Sequence, residues 1–445
     1  MKRDLTKGSI LKNLIYFSLP YLLSCFLQTF YGMADLFIAG QFCGKAVITA
    51  ISTGSQIMHM VTVIIVGLAM GSTVLISQAV GAGRQKEASL AVGNTVTLFL
   101  AVAIAATILA LLCLGGIIRI MSVPAEAVAD TRMYLAICFG GIVFITAYNI
   151  ISCIFRGLGD SRTPMYFIAI ACVSNILLDV LFMGGFRMGA AGAALGTVIS
   201  QTISVICALA ALRHTSRRSD LSLMRADLRP QRAILGRIMK VGVPVALQDG
   251  LIQVSFIVIT IIANSRGVTI AASVGIVEKI ISFLFLIPSA MLSSVSAIAA
   301  QNVGANRHDR ARKTLGFATA IALGCGLLFA LVCNLATEPL IGLFTDDADV
   351  IRLGAQYLRT YSFDCAFAGI HFCFSGFFCA YGYSMVSFFH NIASIILVRI
   401  PGSYYASKLF PDTLLPMGMA APLGSLLSAL ICVTVYLAFR KKGRL

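Results

Sequence analysis

The stretch Asn175-Ile176-Leu177-Leu178-Asp179 lies inside an apolar run, Met165 to Met183, in which Asp179 is the sole charged residue. Asn175 and Asp179 are four positions apart, so on a helix they share one face. Asp35 has a similar setting within the run Leu14 to Phe37, and Gln28 precedes it by two helical turns on the same face. Apolar runs of this length span bilayers as helices. An ionised carboxylate at the centre of such a helix costs about 2.5–3.5 kcal/mol even on a mild insertion scale. Two carboxylates in this position imply a chain whose other parts place them and alternately expose them.

The remainder of the chain has the same character. Of its 445 residues 58% are hydrophobic and 12% charged, and long apolar runs recur from end to end, the composition of an all-α polytopic membrane protein. Twelve spans are predicted, near 14–37, 46–76, 89–114, 132–155, 164–186, 189–212, 235–264, 269–299, 313–336, 354–380, 384–407 and 416–439. The net charge of +16 does not point to nucleic acid, because the basic residues flank the spans and form no single face. With the N-terminus inside, 24 Lys and Arg fall in cytoplasmic segments, eight outside, and two (Lys279 and Arg399) within spans, which predicts both termini in the cytoplasm. Met1-Lys2-Arg3 precedes a run with no small-residue cleavage site, so the first span reads as retained. The thirteen cysteines include no CxxC pair and read as small packing residues. Gly40 to Ala46 only superficially resembles a phosphate loop, and no HExxH or G-x-S-x-G pattern points to an enzyme.

The chain also repeats itself. Pro20 matches Pro244, Gln78-Ala-Val-Gly-Ala-Gly83 matches Gln301-Asn-Val-Gly-Ala-Asn306, and Gly157-Leu-Gly-Asp-Ser161 matches Ala380-Tyr-Gly-Tyr-Ser384, at offsets of 223–224 residues. Six spans per repeat keeps both halves in one orientation, an arrangement used by transporters. The expected organisation is two pseudo-symmetric six-helix lobes, 1–212 and 235–445, around a central cavity, joined by a cytoplasmic connector, 213–234. A short surface helix is expected near Arg229-Pro230-Gln231-Arg232. The glycines and arginines of the repeated turns read as structural.

The turns Gln78–Gly83, Phe155-Arg-Gly-Leu-Gly-Asp-Ser-Arg-Thr-Pro164 and Ala299–Asn306, together with Asn175–Asp179, resemble the multidrug and toxic compound extrusion (MATE) family, in order and over nearly the whole chain. The resemblance implies a bacterial plasma-membrane exporter of lipophilic, often cationic compounds, driven by H⁺ or Na⁺ and using no other cofactor. It also implies a cation site at Asp35, Asn175, Asp179 and Thr197, with Gln28 and Asn149 deeper in the membrane. The residues agree independently: the first six spans hold no interior Lys or Arg to neutralise the two acids, which leaves protonation, a bound cation or a wet cavity. The repeat does not copy the set, since Asn175 and Asp179 map onto Val398 and Gly402 and Asp35 onto Val258 or Ile259. Pro20 favours a kink in the first span, and the family ties bending there to ion occupancy.

In the second half, Gln248, Asp249, Gln253, Glu278, Lys279, Asp364, His371 and Arg399 fall within spans. Acids and bases coexist there, so ion pairing competes with coupling, and Glu278 is the leading candidate for a responsive acid. Tyr31, Met33, Phe167 and Met291 are candidates for an adaptable substrate wall, against simple packing. The implied partners are small lipophilic or cationic molecules and membrane lipid, with no nucleic acid, and the chain is expected to act as a monomer. Two other readings are a flippase for lipid-linked oligosaccharides, which would favour arginines in its cavity, and a non-transporting scaffold, which would need neither the repeat nor unpaired acids.

Overall fold

A computed structural model describes residues 4–121, 123–218, 224–443 and 445, and among the described residues the regular structure is helical throughout. The helices are α1 (Ile10–Phe42), α2 (Lys45–Gly81), α3 (Gln85–Ile120), α4 (Val128–Gly140), α5 (Ile142–Gly157), α6 (Arg162–Asp179), α7 (Gly189–Arg218), α8 (Arg232–Asn264) and α9 (Val268–Leu284). They continue as α10 (Leu286–Gly304), α11 (His308–Leu335), α12 (Thr337–Gly342), α13 (Ala348–Tyr361), α14 (Asp364–Ala380), α15 (Ser384–Ser394), α16 (Ile400–Leu409) and α17 (Leu415–Lys441). Among the described residues, eleven continuous stretches are long and apolar enough to cross a membrane, and the pair α4 and α5, bent by 48°, is a twelfth when counted as one span. The chain is a multi-pass membrane protein.

Several helices run past the predicted limits and several spans are interrupted. Gly141 divides α4 from α5, and a side chain there would overlap Val198 of α7, so the break lies where two helices approach closely. The spans containing Asp179 and Arg399 each include a π-helical segment, Val180–Gly185 and Ile395–Arg399. Such segments often mark functional positions. The connector contains a 3₁₀ turn at Arg225–Leu228, and α8 begins at Arg232. The short helix therefore lies upstream of its expected place. Pro230 explains this, because it disfavours helical backbone at Arg229, which is extended at φ −67°, ψ 125°.

The repeated turns have one physical role. Gly83 and Asn306, 223 residues apart, both have positive φ, at 69° and 55°, as do Gly159 and Gly382, at 89° and 77°. At each, the following N–H reaches back to close the helix end: Arg84 to Ala79 O, Arg307 to Asn302 O, Asp160 to Phe155 O and Tyr383 to Phe378 O. These are left-handed caps of the Schellman type, which glycine and asparagine adopt with least strain. The motif residues thus terminate helices at matching points of the two repeats.

The chain divides into two compact units. The first contains Leu19–Gly242; the second contains Leu5–Ser18 and Val243–Leu445. The core of the first draws on α2, α3, α4, α5 and α7 with residues such as Ile51, Ile76, Phe99, Phe139, Ile151, Phe155 and Ala194. In the second, one core cluster includes Ile259, Val277, Ile281, Tyr357, Leu358, Tyr361 and Met417. Small residues bring the helices close: Gly376 of α14 faces the backbone of Leu292 in α10, and Gly326 of α11 faces Ala366 in α14. Close approach through small residues is how helices associate in lipid, where no hydrophobic force acts between them.

Candidate functional site

Asp179 is the last residue of α6, at the start of the π-helical segment, and is fully buried. Asn175, one turn earlier, is 1% exposed, and Asp35 of α1 is 3% exposed. The side chains of Asp179, Asn175 and Thr197 face the Asp35 carboxylate. Yet both oxygens of Asp179, both amide atoms of Asn175 and Oδ1 of Asp35 have no hydrogen-bond partner. Thr197 Oγ1 donates to Ala193 O within α7, 3.1 Å away. The result is a buried cluster of polar side chains from three helices, holding two carboxyl groups, an amide and a hydroxyl. Buried polar groups are nearly always partnered, so the unpartnered oxygens mark this set as the candidate site.

Gly196 shapes this cluster. A Cβ there would overlap Asp179 Oδ1, so a larger residue would make the carboxylate turn away from its place against α7. Sequence reading passed over it; the adjoining Thr197 was the available signal. The donor set suits a small hard cation, since every candidate ligand is an oxygen. Among the described residues no group of three or more His, Cys, Asp or Glu is placed to hold a metal ion.

Asn149 and Gln28 are less directly involved. Asn149 is buried, and its amide donates back to Ile145 O of its own helix at 2.8 Å. Gln28 is half-buried on α1. Helix α1 continues through Pro20, where Ser24 Oγ donates to Pro20 O. Arg156, part of the Phe155–Pro164 motif, is buried. Its guanidinium lies 4.8 Å from the Tyr21 ring centroid, and Nη2 is 2.7 Å from Cys153 Sγ.

The proposed substrate-wall residues separate. Phe167 is a core residue, stacked edge-on against Phe155 at 5.8 Å, with its carbonyl accepting from Ser204. Met291 is also buried, Tyr31 packs partly buried against the first core, and Met33 is exposed.

The second unit treats its charges differently. Arg399 Nη2 lies 2.6 Å from Asp364 Oδ2 in a buried ion pair. Arg399 also lies 5.7 Å from the centroid of the Phe256 ring. Asp364 is therefore matched by a base, whereas Asp35 and Asp179 face an amide, a hydroxyl and one another. Glu278 is half-buried; its Oε2 accepts a long bond of 3.4 Å from Thr260 Oγ1, and its Oε1 is buried without a partner. Gln248 is buried with its Oε1 unpartnered, and Asp249 and Gln253 are half-buried along α8. The rings of His371 and His390 pack at 5.5 Å, and His390 Nε2 bonds Ser375 Oγ.

Comparison with known proteins adds three findings. The MatE family model matches twice, over residues 20–181 and 244–405, each match beginning at one of the paired prolines. A probable multidrug resistance protein of Bacillus subtilis, YpnP, is 30% identical over 399 residues, covering 89% of this chain and 88% of its own. The multidrug export protein MepA of Staphylococcus aureus is 26% identical, covering 83% and 81%. Among solved structures, a MOP-superfamily transporter from Pyrococcus furiosus superposes with a TM-score of 0.91 over 99% of this chain and 98% of its own, at 20% identity. That protein is described as having a binding pocket of reverse polarity suggesting a different function, so the likeness concerns the fold.

Proposed function

This chain belongs to the MatE family, and from that membership we propose that it is a secondary multidrug exporter in which H⁺ or Na⁺ entering the Asp35–Asp179 site drives the outward passage of lipophilic, often cationic compounds. The observation that carries the coupling half is the oxygen cluster itself. Two buried carboxyl groups face one another with no basic residue among them. A purely structural acid would be paired, as Asp364 is with Arg399.

The mechanism follows from charge and hydration. With neither cation bound, two adjacent carboxylates repel and draw water into the first unit. A proton or Na⁺ neutralises the set and lets α1, α6 and α7 close upon it. Asp35 and Asp179 carry the charge, while Asn175 and Thr197 supply neutral oxygens. Substrate and cation then favour different forms of the protein, and each weakens the other's binding by the same factor. We place both termini in the cytoplasm of a bacterial plasma membrane, on the Lys and Arg asymmetry.

The test is ethidium efflux from reconstituted vesicles under separately imposed Na⁺ and pH gradients. One of the two gradients should drive export in the wild type and fail in Asp35→Asn. Export that ignores both gradients would refute cation coupling.

A further inference from the structure

The boundary between the two units crosses the chain inside a helix, twice. Leu5–Ser18 belongs to the second unit, while α1 from Leu19 onward belongs to the first. Likewise α8 belongs to the first unit up to Gly242 and to the second from Val243. Each crossing falls one residue before a proline, Pro20 or Pro244, the pair related by the repeat. Each helix is therefore shared, with its first turns assigned to one unit and its remainder to the other.

The leading segments are not loosely attached. In the second unit, Arg307 Nη1 donates to Thr6 O at 2.7 Å and Arg310 Nη2 to Gly8 O at 3.0 Å. Asn302 Nδ2 reaches Leu5 O at 3.4 Å, and Asn302 Oδ1 accepts from Arg310 Nε at 3.2 Å. Leu5, Leu14 and Phe17 are almost completely buried beneath these bonds. In the first unit, Thr97 Oγ1 donates to Leu228 O at 2.7 Å, and Asn94 Oδ1 accepts from Gln231 N at 2.7 Å. Leu228 stands 223 residues after Leu5, so both repeats grip the same backbone position using different side chains.

We propose that Asn302, Arg307 and Arg310 form a clamp that makes the start of α1 move with the second unit, so that α1 mechanically links the Asp35 site to that unit; Asn94 and Thr97 hold the start of α8 to the first unit in the same way. These are positioning residues, since none of them is among the cation-site residues. The clamp gives the repeated Gln301–Asn306 turn and its following arginines a role beyond ending a helix. The prolines lie where a shared helix must absorb any change of angle, because Pro removes one backbone bond and favours bending there. The inference rests on the exporter reading for what the link transmits, but not for the clamp itself.

The experiment uses the full chain in nanodiscs, wild type against Arg307→Ala/Arg310→Ala, with Arg307→Lys/Arg310→Lys as the conservative rescue. Amide hydrogen exchange of residues 5–18 reads the clamp, and ethidium affinity with and without saturating Na⁺, or at pH 5 against pH 8, reads the link. In the wild type the cation should change ethidium affinity by roughly 5- to 150-fold, the usual range of coupling. In the alanine variant exchange of the segment should rise and the cation effect should fall toward onefold, with cation-free ethidium affinity kept; the lysine variant should recover part of both. Unaltered exchange would overturn the clamp. Raised exchange with an undiminished cation effect would overturn the link. A wild type indifferent to both cations would overturn the exporter reading and the link while the exchange result still judged the clamp. Should the double alanine variant fail to fold, Arg310→Ala alone, which deletes the bonds to Gly8 O and Asn302 Oδ1, supports the link by a smaller loss of cation effect and contradicts it by none.

Discussion

Asp364 and Asp35 should respond in opposite ways to removal of charge. The Asp364 side chain is 0% exposed and that of Arg399 8%, with 2.6 Å between the charged atoms. Arg399 cannot shed its proton. Replacing Asp364 by Leu therefore strands a guanidinium in a buried site, a loss of about 3–5 kcal/mol, or two to three and a half orders of magnitude in the folded-to-unfolded ratio. Replacing both partners, Asp364→Leu with Arg399→Met, removes the stranded charge and keeps the volume. That double variant should recover most of the loss and is expected within about 1 kcal/mol of the wild type or above it. Asp35 has no such partner, so Asp35→Asn removes a buried carboxylate and should leave stability unchanged or raised.

The assay is reversible unfolding in mixed micelles followed by circular dichroism, because the chain has no tryptophan to report by fluorescence. A complete cycle of wild type, two single variants and the double variant isolates the pair. A loss below about 1 kcal/mol in Asp364→Leu, or a double variant as unstable as the single, would refute the claim that this acid is held by its base. An equal loss in Asp35→Asn would refute the contrast between the two units.

Further outcomes follow from the same geometry. Gly196→Ala pushes Asp179 away from α7 and should weaken the response of ethidium affinity to cation by about tenfold or more, about 1.4 kcal/mol, while circular dichroism shows a folded protein. Asp179→Asn should abolish gradient-driven efflux in vesicles while retaining ethidium binding, and transport at the wild-type rate would contradict the site. Gly83→Ala introduces a side chain at φ 69° and should destabilise by about 1–2 kcal/mol, whereas Asn306→Gly at the matching cap should not destabilise; both are read in the same unfolding assay.

Much of this was legible in the sequence because a bilayer simplifies the problem. Apolar length alone locates spans, and an isolated acid such as Asp35 or Asp179 stands out against it. The repeat was legible in the turns after Gln78 and Gln301 because helix ends need particular residues, and the left-handed caps at Gly83 and Asn306 show the requirement met twice. Other features depend on helices meeting in space. The Asp364–Arg399 pair joins residues 35 apart. Gly196 matters only because the tip of Asp179 arrives from another helix. The setting of Arg156 also depends on such a meeting, since the Tyr21 ring packs against it from α1.

The contrast between the repeats bears on the proposed coupling to an ion. Duplication supplies two equivalent sets of helices, and burial penalises an ionised acid in either. The second unit answers that penalty internally, by setting Arg399 against Asp364. In the first, Asp35 and Asp179 are offered only Asn175, Thr197 and one another. An acid answered internally is indifferent to the ions outside, whereas one left unanswered makes the fold of its unit depend on them. Asp179→Leu paired with Asp35→Leu should then yield a first unit as stable as the wild type at every pH from 5 to 8, with the same ethidium affinity throughout. Residual dependence of that affinity on pH or Na⁺ in the double variant would locate the driving site elsewhere, with the half-buried Glu278 as the next acid to test.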